Sequence, residues 1–218
     1  IVSDNGYGAN PFVETTRPLV VVTAPGPSSG KLATCLSQLY HEYKRGIKAG
    51  YAKFETFPVW NLPLKHPVNI AYEAATADLY DVNQIDPFHF NAYGTLAVNY
   101  NRDIEVFPIL QNILTKITKK EIYKSPTDMG VNMIAEAITN DKLAQFSAKK
   151  EILRRYYRAE CDYKRGQCTF ETLERNKSLV SEVDAKDDLL KVIDISKETS
   201  KTSGFPCVAL ELPDGKIV

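Results

Sequence analysis

The chain has 218 residues, of which 44% are hydrophobic and 25% are charged, values that are ordinary for a globular protein with a substantial core. Its 27 basic side chains are balanced by 27 acidic ones, which argues against a protein that binds nucleic acid through the phosphate backbone. No apolar run approaches the ~20 residues that cross a membrane, and four cysteines and three histidines without metal-ligand spacing predict a cytoplasmic protein with reduced thiols and no metal site.

Both ends of the sequence resemble interrupted elements. The sequence opens at Ile1 rather than at a methionine. Near its other end, Asp214-Gly215 is a strong hairpin-turn signal, and Lys216–Val218 is barely the start of a return strand. We therefore expect the sequence to be a piece of a longer chain.

The first part of the chain alternates strand and helix signals. Leu19–Thr23 is a valine-rich run of the kind that is buried on both faces of a parallel sheet. A helix is predicted over Gly30–Tyr43, and Gly50–Phe57 alternates like a second strand. Pro67 stands in the first turn of another predicted helix, and Thr95–Asn101 is a third strand candidate. This alternation predicts an α/β fold with a layered core of mostly parallel strands.

The composition changes after about Thr139. A long amphipathic helix is predicted from Asp141 to Gly166, and two further helical stretches follow it before a strand at Cys207–Leu212. The sequence therefore predicts three parts, which are an α/β core over 1–139, a helical subdomain over 140–203 and the start of a β-hairpin of a further domain over 204–218.

The loop between the first predicted strand and the first predicted helix has the composition of a phosphate-binding turn. Gly26, Ser28, Ser29 and Gly30 are small residues that let the backbone bend around phosphate oxygens, and Lys31 brings a positive charge. The free N–H groups at a helix start converge on the same anion. We predict that these five residues bind phosphate and that Lys31 also takes part in catalysis.

The loop departs from the standard P-loop formula in two places. Gly26 is one residue too close to Gly30, and Leu32 stands where a magnesium-binding hydroxyl normally follows the lysine. A second Walker element, an apolar strand ending in a carboxylate, is not evident. The alternative interpretation is a helix start that one of the loop serines caps, with the lysine in solvent.

Polar residues also follow the second and third predicted strands. Glu55 ends the second strand and is a candidate for contact with a metal-bound water or for orienting a substrate. Asn101 and Arg102 follow the third strand, where α/β proteins place ligand-binding groups, and Arg102 is suited to clamping a phosphate or carboxylate. The alternative for Arg102 is an ion pair with Asp103 or Glu105.

The segment YKSPTDMGVNM concentrates four polar side chains around a glycine. Ser125 followed by Pro126 and Asp128 is the pattern of a capped helix start, and capping is the interpretation that the residues favour. The functional alternative is that Ser125, Thr127 and Asn132 bind a substrate while Asp128 acts in catalysis.

Three strings, RPLVVVTAPGPSSGKLATCLSQLY, IDPFHFNAYG and YKSPTDMGVNM, closely resemble a bacterial family of unknown function, the domain-of-unknown-function family eighteen-forty-six. The resemblance covers nearly the whole chain. It implies a P-loop-like core, a helical region and a further α/β portion, in a protein that is longer at both ends. The chain has GPSSGKL where the family commonly shows GPGSGKM, and the resemblance identifies no reaction. The label of ATP-dependent peptidase attached to some members has no support here, since no nucleophile and base can be named.

Two functions from different classes fit this sequence. The first is an enzyme core that binds ATP with magnesium and transfers or activates a phosphoryl group, with Lys31 on the outer phosphates. In it, Glu55 contacts a metal-bound water or orients the substrate, and Arg102 stabilises the transferring charge. Asp128 and Asn132 hold the acceptor. The second is a non-catalytic anion-binding or scaffold protein with a degenerate P-loop. The expected partner is a small phosphorylated or anionic ligand, although in the second function the loop holds an anionic metabolite or nothing. Both functions are compatible with a homo-oligomer.

Overall fold

A computed structural model of the protein describes residues 1–26, 29–54, 57–130, 132 and 134–218. Within these residues the fold is α/β and mostly helical. The two strands are β1 (Asn83–Ile85) and β2 (Val98–Tyr100). The α-helices are α1 (Lys31–Lys44), α2 (Pro67–Ala75), α3 (Pro87–Tyr93), α4 (Asn101–Thr118), α5 (Pro126–Met129), α6 (Asp141–Lys164), α7 (Phe170–Glu182) and α8 (Lys191–Ser203).

The sheet corrects the predicted core. β1 and β2 form a two-stranded antiparallel sheet, and the described residues contain no layered core of mostly parallel strands. Thr95–Asn101 does contain β2, whereas the described part of Gly50–Phe57 forms only an isolated parallel bridge between Lys53 and Gly130.

Leu19–Thr23 is not a strand, because no backbone group among the described residues pairs with it. An interior strand needs a neighbour on each edge. β2 pairs with β1 instead, and the described part of Gly50–Phe57 forms only a bridge to Gly130.

The structure divides into two compact units. The first consists of Ile1–Thr56 and Ile85–Asn132, and the second consists of Phe57–Gln84 and Met133–Val218. The division into 1–139, 140–203 and 204–218 stays a prediction. It was based on composition along the chain, whereas the two units are defined by contacts in space.

The core of the first unit lies between α1 and α4. Leu36 and Leu39 recur on one face of α1, at helical spacing, and are almost fully buried. They pack in one cluster with Phe107 and Leu114 of α4 and with Met129. The predicted helix over Gly30–Tyr43 is confirmed to within one residue at each end. Because its apolar face packs in the core, the helix that follows the loop is held in place.

The second unit is built on helices with local start signals. His66 caps α2 by accepting the Val68 N–H on Nδ1 at 3.2 Å, and Pro67 follows it. Asn140 caps α6 in the same way. Its core joins α2, α6 and α7 through a cluster that includes Ile70, Ile152 and Leu179. The three predicted helices after position 140 are confirmed as α6, α7 and α8.

The membrane expectation can be compared with the helices directly. No helix in the described part of the chain is both long and apolar enough to cross a bilayer.

Candidate functional site

The loop before α1 holds a lysine ammonium group over its own backbone. Lys31 Nζ donates hydrogen bonds to the Gly26 carbonyl oxygen at 2.7 Å and to Ser29 Oγ at 3.2 Å. The Ser29 hydroxyl donates to the same Gly26 carbonyl. Gly30 turns the chain into the helix at φ 88°, a left-handed conformation that favours glycine. The positive charge therefore lies across the loop. Ser28 is outside the described residues.

No described side chain caps the start of α1. Gly30 occupies the N-cap position, and the Ser29 hydroxyl is directed at the Gly26 carbonyl instead of the helix. No acidic side chain lies in the first turn, and the first recorded backbone bond is from Thr34 N to Gly30 O at 2.9 Å. The N–H groups of 31–33 therefore have no acceptor among the described residues, which leaves them for an external anion.

Space is available beside this helix start. Apart from their chain neighbours, no described atom lies within 4 Å of the point where a Cβ atom would stand on Gly26 or Gly30. Ser29, a described loop residue, does not cap α1, because its hydroxyl bonds the Gly26 carbonyl. Within the described residues, the start of α1 is an open helix N-terminus without a side-chain cap, and Lys31 reaches back to Gly26.

A second charged cluster joins the predicted second strand to the start of α4. Lys53 Nζ donates to Tyr100 Oη and to Asp103 Oδ1, each at 2.5 Å. The Lys53 and Asp103 side chains are 23% and 12% exposed, so the pair is largely shielded from water. The Arg102 guanidinium lies 5.6 Å from the centre of the Tyr100 ring. Asp103 therefore forms an ion pair with Lys53. Asn101, another predicted site residue, is the first residue of α4.

Ser125 and Thr127 use their polar groups inside the protein. Ser125 is fully buried and caps α5 by accepting the Asp128 N–H at 3.0 Å, as its sequence context favours. Thr127 donates from both N and Oγ1 to Asp86 Oδ2, at 3.2 and 2.6 Å. Asp86 Oδ1 accepts the Phe88 and His89 N–H groups and caps α3. Asp86 thus ties the start of α3 to α5.

Asp128 lies at the edge of this arrangement. Its Oδ2 accepts the Tyr93 hydroxyl and the Lys124 N–H, both at 2.8 Å, and its Oδ1 lies 3.8 Å from His89 Nδ1. The hydrogen bond to Asp128 raises the pKa of Tyr93, because it favours the protonated phenol. His89 Nδ1 also lies 2.9 Å from Ser125 Oγ. Asp128 remains partly accessible, with 18% of its side chain exposed.

All of the described residues that we predicted for the site belong to the first unit. Glu55, like Ser28, lies outside the described residues. Asn132 is buried near the end of the unit's chain. Sequence reasoning missed Lys53 and Tyr100, since no spacing links position 53 to position 100. The only available signal was the alternation of Lys53 with apolar neighbours in the strand-like segment.

These features define an α/β protein, mostly helical, with a lysine-bearing loop before an uncapped helix. The family model for the N-terminal domain of unknown function DUF1846 matches residues 1–184. The chain belongs to this family, which confirms the resemblance that the sequence carries.

Three relatives indicate how far the similarity extends. The chain is 59% identical to a UPF0371 protein of Clostridium tetani over 227 residues, 56% identical to the UPF0371 protein FN1121 of Fusobacterium nucleatum over 231 residues, and 60% identical to the UPF0371 protein CLL_A2797 of Clostridium botulinum over 227 residues. Each alignment covers 100% of this chain and 45%, 46% and 45% of the respective relative. The chain therefore spans less than half the length of these relatives.

Proposed function

We propose that the protein binds the phosphate groups of a small ligand at residues 26–31, with ATP as the preferred candidate, and that it serves as an enzyme core for phosphoryl transfer or ATP-dependent activation. The observation that carries this proposal is the start of α1, where an uncapped first turn and the Lys31 ammonium group lie on one open loop. Anions are stabilised at such a terminus by the N–H groups and the helix dipole together.

The contacts of Lys31 support a binding role because they are weak competitors for a phosphate. Lys31 Nζ bonds a neutral carbonyl oxygen and a hydroxyl oxygen. A phosphate oxygen carries negative charge, and hydrogen bonds between charged groups are roughly twice as strong as neutral ones. Exchange of the Gly26 carbonyl for a phosphate oxygen therefore favours binding, with the ammonium group already on the loop.

The described residues fit the phosphate part of a nucleotide better than they fit a metal ion. Leu32 supplies no oxygen at the position after the lysine, and the described residues contain no group of three or more side chains that could hold a metal. Magnesium would therefore arrive with the nucleotide phosphates and neutralise part of their charge. Arg102 and Asp128 are proposed as the groups nearest the chemistry, and Asp128 is the more accessible of the acidic side chains around α5.

Ligand-dependent stability in the intact protein tests the proposal. Melting temperatures are measured for the wild type, Lys31→Ala and Lys48→Ala, each with and without millimolar ATP and magnesium. Lys48 is an exposed lysine after α1 and serves as the matched control. A charge-assisted contact contributes about 1.5–3 kcal/mol, so Lys31→Ala should weaken binding at least about tenfold. Equal ligand-induced increases in melting temperature for the wild type and Lys31→Ala would show that Lys31 and its loop do not bind the ligand.

A second function is favoured by Leu32 and by the internal use of Ser125 and Thr127. The position after the lysine has no hydroxyl, and two predicted substrate contacts are engaged within the fold, so the second candidate is a non-catalytic anion-binding or scaffold protein. Inorganic phosphate or pyrophosphate distinguishes the two functions. Stabilisation by these anions that depends on Lys31, together with no stabilisation and no turnover with ATP, GTP or CTP, would support the non-catalytic anion-binding protein.

A further inference from the structure

The segment immediately before the phosphate loop exposes apolar side chains in succession. Leu19, Val20 and Val21 are 78%, 48% and 73% exposed. Their backbone groups and those of Val22 and Thr23 make no hydrogen bond with any described residue. Adjacent residues of an extended chain point to opposite faces, so both faces of this segment would be apolar.

A segment of this kind differs from an ordinary exposed loop. Loops present polar residues and glycine to water, whereas an apolar and β-branched run is typical of a strand that is covered on both faces. Three consecutive exposed apolar residues whose backbone pairs with no described residue also form an edge at which another strand can add. The chain spans 45% of the Clostridium tetani relative, so that relative contains more than enough further sequence to provide such strands.

We infer that Leu19–Thr23 is an interior β-strand in the intact protein, paired by strands from sequence outside these 218 residues. The occupant is thus the protein's own remaining chain. The inference follows from exposure, backbone pairing and the relatives' length, and it does not rest on phosphate binding. Its consequence for the loop is mechanical. A strand paired on both edges holds the residues just before Gly26 in a fixed position relative to α1.

Hydrogen exchange on the intact protein tests the inference without any ligand. The amides of Val20, Val21 and Val22 are expected to exchange at least about 100-fold more slowly than the same amides in an unstructured peptide. Exchange at the unstructured rate would overturn the inference. Protection that disappears on dilution, together with a concentration-dependent mass by light scattering, would also overturn it, because the partner would then be a second copy.

A matched pair of substitutions gives an independent readout. Val21→Asp places a charge on the segment, and Val13→Asp places the same charge on a valine of similar exposure, 57% against 73%. In the intact protein Val21→Asp should lower the urea midpoint strongly or prevent folding, while Val13→Asp should leave it nearly unchanged. Equal midpoints for the two variants would contradict a covered strand. Because neither measurement involves phosphate, a protected strand with no ligand binding would refute only the proposed function.

Discussion

Asp86 is the residue whose removal should damage the first unit most. Its carboxylate is fully buried and accepts four hydrogen bonds, from the Phe88 and His89 N–H groups and from Thr127 N and Oγ1. Asp86→Ala would remove the cap of α3, which costs about 0.5–2 kcal/mol. It would also leave the Thr127 N–H buried without an acceptor, at about 1–3 kcal/mol. We expect a total loss of roughly 1.5–5 kcal/mol of unfolding free energy.

Urea unfolding of the intact protein, followed by circular dichroism, measures this loss. Asp86→Asn keeps one acceptor oxygen but presents an amide N–H₂ group, so it should lie between the wild type and Asp86→Ala. Glu14→Ala removes an exposed carboxylate from the same unit and serves as the control. Ordinary surface substitutions change the unfolding free energy by less than about 0.5 kcal/mol. A change that small for Asp86→Ala would contradict a stabilising link by Asp86 between α3 and α5.

Three further predictions concern charged contacts. Hydrogen bonds from Arg154, and to a lesser extent from Arg155, lower the pKa of Glu151 from near 4.5 to about 2. The stability that Glu151 contributes should therefore be present above pH 4.5 and be lost as the pH falls through about 2. Since 37% of the side chain is exposed, Glu151→Gln should lower the unfolding free energy by only about 0.5 kcal/mol at pH 7 and by nothing near pH 2, as measured by urea titrations. Lys53→Met should lower the unfolding free energy, measured with urea, by about 3 kcal/mol, because it removes Lys53 from the shielded Asp103 carboxylate. The double variant with Asp103→Leu should recover much of that stability. No recovery would show that the ion pair is not the cause of the loss. Asp128→Asn should lower the pH at which Tyr93 ionises in an NMR titration, since Asp128 raises the pKa of Tyr93, and an unchanged titration would contradict the hydrogen bond.

The sequence predicted the local parts of this fold well. α1 and α6 carry apolar residues at helical spacing, and the cap of α5 depends on Ser125, which lies next to the helix that it starts. Each signal is complete within a few residues of the chain, so periodicity and capping patterns suffice to find it.

Strand pairing and the charged cluster could not be predicted in the same way. The β-like composition of Leu19–Thr23 says that the segment is suited to a sheet, but the sequence does not say which segments pair with it. The bond between Lys53 and Asp103 joins residues 50 positions apart, and only the packing of α4 brings them together. The helix start that follows the loop was therefore predictable from the sequence, whereas the contacts that surround Tyr100 were not. The assignment of the loop as a phosphate site stays a prediction.

The most direct test of phosphate binding is to locate it on the backbone. In amide NMR spectra of the labelled intact protein, added pyrophosphate, and ATP with magnesium in a parallel titration, should shift the N–H signals of 30–33 saturably. The uncapped first turn of α1 is the source of those N–H groups, and Lys31→Ala should weaken the response at least about tenfold. Signals of 30–33 that stay unchanged at saturating ligand, or a response that is the same in Lys31→Ala, would contradict a phosphate site at this loop.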